Sequence, residues 1–186
     1  MDRVKGISLL RNTEYIALAY GPEALEGLCK TLARGTAKIM REGALKSSWV
    51  DVEIYFDQLR GIADRFGGDD PSEIMREMGA NSAELDLGSV YRFFLRFGNP
   101  GFVMSSSAIM WKNYYDGGRL EVRERASNFV TARLVDERTL PPHTCNLIMG
   151  WAARAIELSG GKDVTIAHPH CREGGHGFCD FKVQWR

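Results

Sequence analysis

Three of the four cysteines (Cys145, Cys171 and Cys179) and all four histidines (His143, His168, His170 and His176) fall in the last quarter of a 186-residue chain. Thiolate and neutral imidazole are the donor types that zinc takes in a tetrahedron, with Zn–S near ~2.3 Å and Zn–N near ~2.0–2.1 Å. Cys171 and Cys179 bracket a glycine-rich connection, so a hairpin would bring them together at its mouth. His168 shares a face with Val164 and Ile166 by the two-residue period of a strand. Cys179 shares one with Phe181, Val183 and Trp185. Cys145 lies in the first turn of a helix, on the side of Ile148, Met149, Ala152 and Ile156. Three thiols and the His168 imidazole could therefore meet where that helix touches the hairpin, and four protein ligands would leave no open position. The expected cofactor is a structural zinc ion, folded into the site because the site does not exist in the unfolded chain.

Other assignments of these residues stay open. Three buried, reduced cysteines of no special role are the plain alternative. His170 and His176 compete with His168 for the fourth place, His170 being read as facing away from it, and a carboxylate such as Glu173 could complete the set instead. Cys171 and His168 could also be drawn as a nucleophilic pair, but the neighbouring thiols favour a metal site over a catalyst. No GxGxxG pattern follows a strand and no P-loop pattern occurs. The chain is expected not to be an enzyme.

The elements that must position these residues read as helices first and strands last. Asn12 is placed to cap a helix running to about Tyr20, which Gly21-Pro22 breaks, Pro22 opening the next one. Ser48 and Asp51 resemble a capping box before a helix that aligns Val52, Phe56, Leu59, Ala63 and Phe66. Asp70-Pro71 opens a short helix ended near Gly79, and a longer one is expected over about Ala83 to Phe97. After the turn at 98–101, a further helix carries Trp111 and Tyr114. Strands are expected at about Arg119–Glu124, Asn128–Val135, Asp163–Ala167 and Phe178–Trp185, with a helix from about His143 to Leu158 between the second and third. The fold class is α+β: an N-terminal helical layer (about 1–118) packed on a small, mostly antiparallel sheet with one inserted helix (about 119–186), within one domain of 1–186.

Composition agrees with an ordinary folded chain. Apolar residues are 44% and charged residues 26%, and 24 basic residues balance 24 acidic ones. That balance argues against direct nucleic-acid binding by phosphate neutralisation, and it mildly favours self-association. No apolar stretch approaches the ~20 residues of a spanning helix. The N-terminus has no secretory pattern, so the expected compartment is the cytoplasm.

The segment His168-Pro169-His170-Cys171-Arg172-Glu173-Gly174-Gly175-His176-Gly177-Phe178-Cys179-Asp180-Phe181-Lys182-Val183 resembles the C-terminal signature of the 4-vinyl reductase domain, and Cys145 resembles its third cysteine. The resemblance implies a structural zinc held by the three cysteines and by an acidic residue three places before the second one, where this chain has His168. It also implies a wider superfamily with the TRAPP subunits and the haem-NO-binding domains, whose members commonly dimerise and hold small molecules between helices and sheet. The haem-binding members take a proximal histidine from the helical part, and here no histidine precedes His143.

The function expected on these grounds is a small-molecule-binding sensory or regulatory domain, acting as a homodimer and through a regulatory partner protein. The ligand would be a small hydrophobic or aromatic molecule. Trp111, Tyr114, Phe94 and Phe97 are the candidate ligand-binding residues, since buried indole N–H and phenol O–H groups want partners. The alternative is a TRAPP-like scaffold or interaction subunit with no dischargeable ligand.

Overall fold

A computed structural model describes residues 2–88, 99–135, 140–141 and 143–186. Helices dominate the first part: β1 (Arg3–Lys5), α1 (Gly6–Tyr20), α2 (Pro22–Cys29), α3 (Arg34–Glu42), β2 (Trp49–Asp51), α4 (Val52–Phe66), α5 (Pro71–Gly88) and α6 (Pro100–Tyr114). The second part holds β3 (Arg119–Arg125), β4 (Phe129–Val135), α7 (Thr144–Leu158), β5 (Thr165–His170) and β6 (Cys179–Gln184). The four later strands form one antiparallel sheet in the order β3-β4-β6-β5, with α7 as the inserted helix between β4 and β5. This is the α+β architecture expected from the sequence. Among the described residues, no helix is long and apolar enough to cross a membrane.

Local chemistry explains most boundaries. Gly21 sits at φ 87°, in the left-handed region that glycine tolerates, and Pro22 starts α2 where its missing N–H costs nothing. Asn99 caps α6 by accepting from the Phe102 N–H at 3.0 Å, with Pro100 behind it. Before α4 the capping box does not form: Asp51 caps alone, accepting from the Glu53 N–H, while the Ser48 hydroxyl donates to the Leu45 carbonyl. β1 and β2, unforeseen because each is only three residues long, pair antiparallel ahead of α1 and α4.

Two helix boundaries differ from expectation and matter for function. Asn12 is not a cap: α1 begins at Gly6, and Asn12 is buried inside it, donating to Gln58 Oε1 at 3.1 Å. Gly79 does not end its helix: α5 runs on to Gly88. A Cβ on Gly79 would lie 2.0 Å from the Leu147 carbonyl oxygen, and one on Gly150 would lie 2.0 Å from that of Arg76. These two glycines let α5 and α7 cross backbone against backbone, which is why glycine sits in both helix interiors despite its cost there. The continuation of α5 delivers Asp86 to the core, where it is 3% exposed.

Alternation in the sheet follows the sequence closely. Val130, Ala132 and Leu134 of β4 are buried opposite Val183, Phe181 and Cys179 of β6. The edge strand β5 breaks register between Ala167 and His170, the two residues between being His168 and Pro169. Proline has no N–H to give a ladder, so an edge-strand bulge is a place it can occupy.

Candidate functional site

The bulge at Pro169 shapes a cluster of four donors. Period two alone would turn His168 and His170 to the same face, but the irregular register separates them. His168 stacks on Phe181 at 4.7 Å between ring centroids, whereas His170 turns to Asp180 Oδ2 at 3.1 Å and packs edge-on to His176 and Phe178. Cys179 opens β6, Cys145 lies in the first turn of α7, and Cys171 follows β5 directly. The Sγ atom of Cys145 is 3.6 Å from that of Cys179 and 4.0 Å from that of Cys171. One ligand atom from each of Cys145, His168, Cys171 and Cys179 lies within 4.8 Å of every other.

His168 is oriented for this company. Its Nδ1 meets the Asp180 carbonyl oxygen at 2.8 Å, a contact that makes Nδ1 the N–H donor and leaves Nε2 a bare lone pair. That Nε2 is buried and has no partner. The hydrogen bond from Cys145, helped by the Arg172 N–H at 3.4 Å and by Cys171, draws the Cys179 thiol down to about 6, although burial opposes it. The same contact with Cys179, reinforced by burial, pushes the Cys145 thiol up. Donors from Cys145 and from the Arg172 backbone thus converge on the Cys179 sulfur. The structure gathers His168 with the three cysteines and leaves His170 and His176 outside. Glu173 is likewise outside, its carboxylate lying 3.4 Å from the His143 N–H.

A second site lies between the helical layer and the sheet. A cavity of about 120 Å³ is walled by Trp111, Tyr114, Leu147, Trp151 and Phe181, with Arg11 and Asp86 at its polar end. Arg11 and Asp86 form an ion pair with side chains 8% and 4% exposed. Asp86 also accepts from the Tyr114 hydroxyl and, at 2.9 Å, from the Trp151 indole N–H. Trp111 donates its indole N–H to the Gly117 carbonyl at 3.1 Å and stacks on Tyr115 at 4.2 Å.

Trp111 and Tyr114 thus line the cavity, as the sequence suggested, but their polar ends are engaged by the protein itself. Phe94 and Phe97 lie outside the described residues. Arg11, Asp86 and Trp151 were missed. The available signal was Asp86 itself, spaced three and eight residues after Ala83 and Met78 on the buried stripe of α5.

No family model and no curated protein matches the sequence. Solved structures do match in fold. An H-NOX protein from S. oneidensis in its Fe(II)NO ligation state superposes with a TM-score of 0.75 at 14% identity, covering 98% of this chain and 99% of that one. An unliganded Fe(II) H-NOX protein from K. algicida gives a TM-score of 0.75 at 11% identity, covering 98% and 96%. A further match at 14% identity and TM-score 0.71 concerns haem distortion in the H-NOX family. At such identities the likeness establishes the fold alone.

These matches correct the expected cofactor. The proteins that share this fold from end to end are described by Fe(II) and haem, not by zinc, so a structural zinc ion is withdrawn as the cofactor of this chain. Haem itself does not fit the cavity observed here. A cavity that accepts one benzene ring measures roughly 150 Å³, and this one has about 120 Å³. Haem is a four-pyrrole macrocycle several times larger. All four histidines follow residue 142, and none lines the cavity.

Proposed function

We propose that this chain is a ligand-binding sensory domain, not an enzyme, that takes a small apolar or aromatic molecule into the cavity between its helical layer and its sheet. The observation that carries this reading is the cavity itself: apolar walls, a volume of about 120 Å³ that is close to what one aromatic ring needs, and a buried ion pair at Arg11 and Asp86. Concave, mostly apolar sites with a few placed polar groups are where small ligands bind. The likeness of residues 168–183 to 4-vinyl reductase domains supports the same assignment. Signal output would pass through a partner protein or a second copy of the chain.

Cys145, His168, Cys171 and Cys179 are, on this reading, a set of converging donors that joins α7 to the β5–β6 hairpin.

Toluene tests the cavity, since it is apolar and one ring in size. Its addition should raise the melting temperature by mass action on the folded state, whereas haemin should produce no bound Soret band. A melting temperature indifferent to toluene would contradict the reading. The scaffold alternative draws on a separate observation: Phe102 and Ile109, seven residues apart on α6, are 43% and 66% exposed.

A further inference from the structure

We propose that Arg11 selects the ligand, and that the cavity takes a neutral, single-ring molecule bearing a hydrogen-bond acceptor, such as an aryl ketone or amide. This rests on the reading of the cavity as a ligand site and adds the chemical class.

Arg11 is 7% exposed and lines the cavity. A guanidinium presents five N–H donors in a rigid fork and stays protonated. Among the described residues, Arg11 meets Asp86 Oδ1 through Nη1 alone. Its remaining donors have no partner among the described residues, and since no Arg11 atom is both fully buried and unpartnered, these donors lie at accessible surface, where a ligand acceptor could take them.

Asp86 offers much less to a ligand. Its Oδ1 already accepts from Arg11 and Tyr114, and its Oδ2 from Trp151. An ionised carboxylate has about four lone-pair sites, so three are occupied. Two further polar lining groups are likewise engaged. Asn12 donates to Gln58, and the Ser107 hydroxyl donates to the Met104 carbonyl at 2.6 Å. The polar end is therefore a donor surface.

Charge decides between a neutral acceptor and an anion. The Arg11–Asp86 pair is internally balanced, so a bound carboxylate would bring a second negative charge into a site largely shielded from water. A ketone or amide oxygen satisfies the spare donors without that cost. Trp111, Tyr114, Trp151 and Phe181 supply the walls that an aromatic ring needs.

The experiment is calorimetric titration of the full chain with acetophenone, benzamide, toluene and benzoate. Acetophenone and benzamide should bind about ten-fold more tightly than toluene, the worth of one satisfied donor, and benzoate should bind more weakly than all three. Asp86→Asn keeps the volume and leaves Arg11 uncompensated, so benzoate should then gain at least about ten-fold relative to acetophenone. Equal affinity for acetophenone and toluene, or benzoate as the tightest ligand of the unaltered chain, would overturn the proposal while leaving the cavity reading intact. If Asp86→Asn does not fold, the ranking on the unaltered chain decides alone. Failure of all four compounds, toluene included, would instead remove the cavity reading on which this proposal stands.

Discussion

The thiol cluster and the cavity are built in opposite ways. The cluster draws its four donors from residues 145–179, one helix turn and one hairpin, and each donor type is rare enough to be noticed. The cavity draws on α1, α4, α5, α6, α7 and the sheet, and its polar pair joins residues 75 apart in sequence. Short-range chemistry with distinctive side chains announces itself. A buried charge pair looks like two ordinary surface charges until the helices are placed.

Breaking the pair is expected to have the largest effect. Arg11→Met leaves Asp86 buried without its cation, and should cost about 3–5 kcal/mol of unfolding free energy, read by urea denaturation. Arg11→Met combined with Asp86→Leu should recover a substantial part of that loss, because the uncompensated charge is gone. A double variant as unstable as the single one would mean that packing, not charge, holds this end of the cavity.

The helix crossing that brings Asp86 to Trp151 gives the next effect. Gly79→Ala drives a methyl into the Leu147 carbonyl and should cost about 2–3 kcal/mol. Gly88→Ala, whose Cβ meets no described residue within 4 Å, should be neutral or slightly stabilising. Equal melting temperatures for the two variants would contradict the close approach of α5 and α7.

Trp151→Phe keeps an aromatic side chain, smaller than indole, and removes one donor from Asp86, so a loss of about 1.5 kcal/mol is expected, less than for Arg11→Met. A loss exceeding that of Arg11→Met would make the indole, not the guanidinium, the main partner of Asp86.

The smallest effect lies where β1 meets the turn after α6, at Asp116. Burial works against the Asp116 carboxylate, but hydrogen bonds from the Arg3 side chain and from the Arg3 and Asp2 backbone N–H groups hold it down at about 2. Its folded value is depressed below the ordinary 3.8, so its contribution is fully present above about pH 4 and fades as pH falls toward 2. Asp116→Asn should flatten the stability curve in that window and change little at neutral pH. An unaltered acid limb would show that the β1 contact contributes nothing.

The fold was legible where period and punctuation agree. Alternation in Phe178–Trp185 gave β6, and Gly21-Pro22 gave the break between α1 and α2, because both signals are local. Gly79 misled because a helix-stopping residue and a helix-crossing residue are the same amino acid, and the difference lies in Leu147, 68 positions away. Asn12 misled in the same way: a good cap by type, it serves instead as a buried donor to Gln58. Within the cluster the residue types were readable, and His170 does face away from His168 as read, but the cause is the bulge at Pro169 and not strand alternation. Trp111 was found and Arg11 was not, because an aromatic residue on a helix invites a binding role and an arginine invites a solvent one.

The account stands or falls on whether a one-ring molecule enters the space between helices and sheet. Two of the four tryptophans line that space, Trp111 and Trp151, while Trp49 and Trp185 do not. Titration of the nitrogen-15-labelled chain with acetophenone, followed through the four indole N–H resonances, reads this directly. Saturable shifts at Trp111 and Trp151, with Trp49 and Trp185 unmoved, are predicted. Shifts confined to Trp49 or Trp185, or no saturable shift at all, would contradict it.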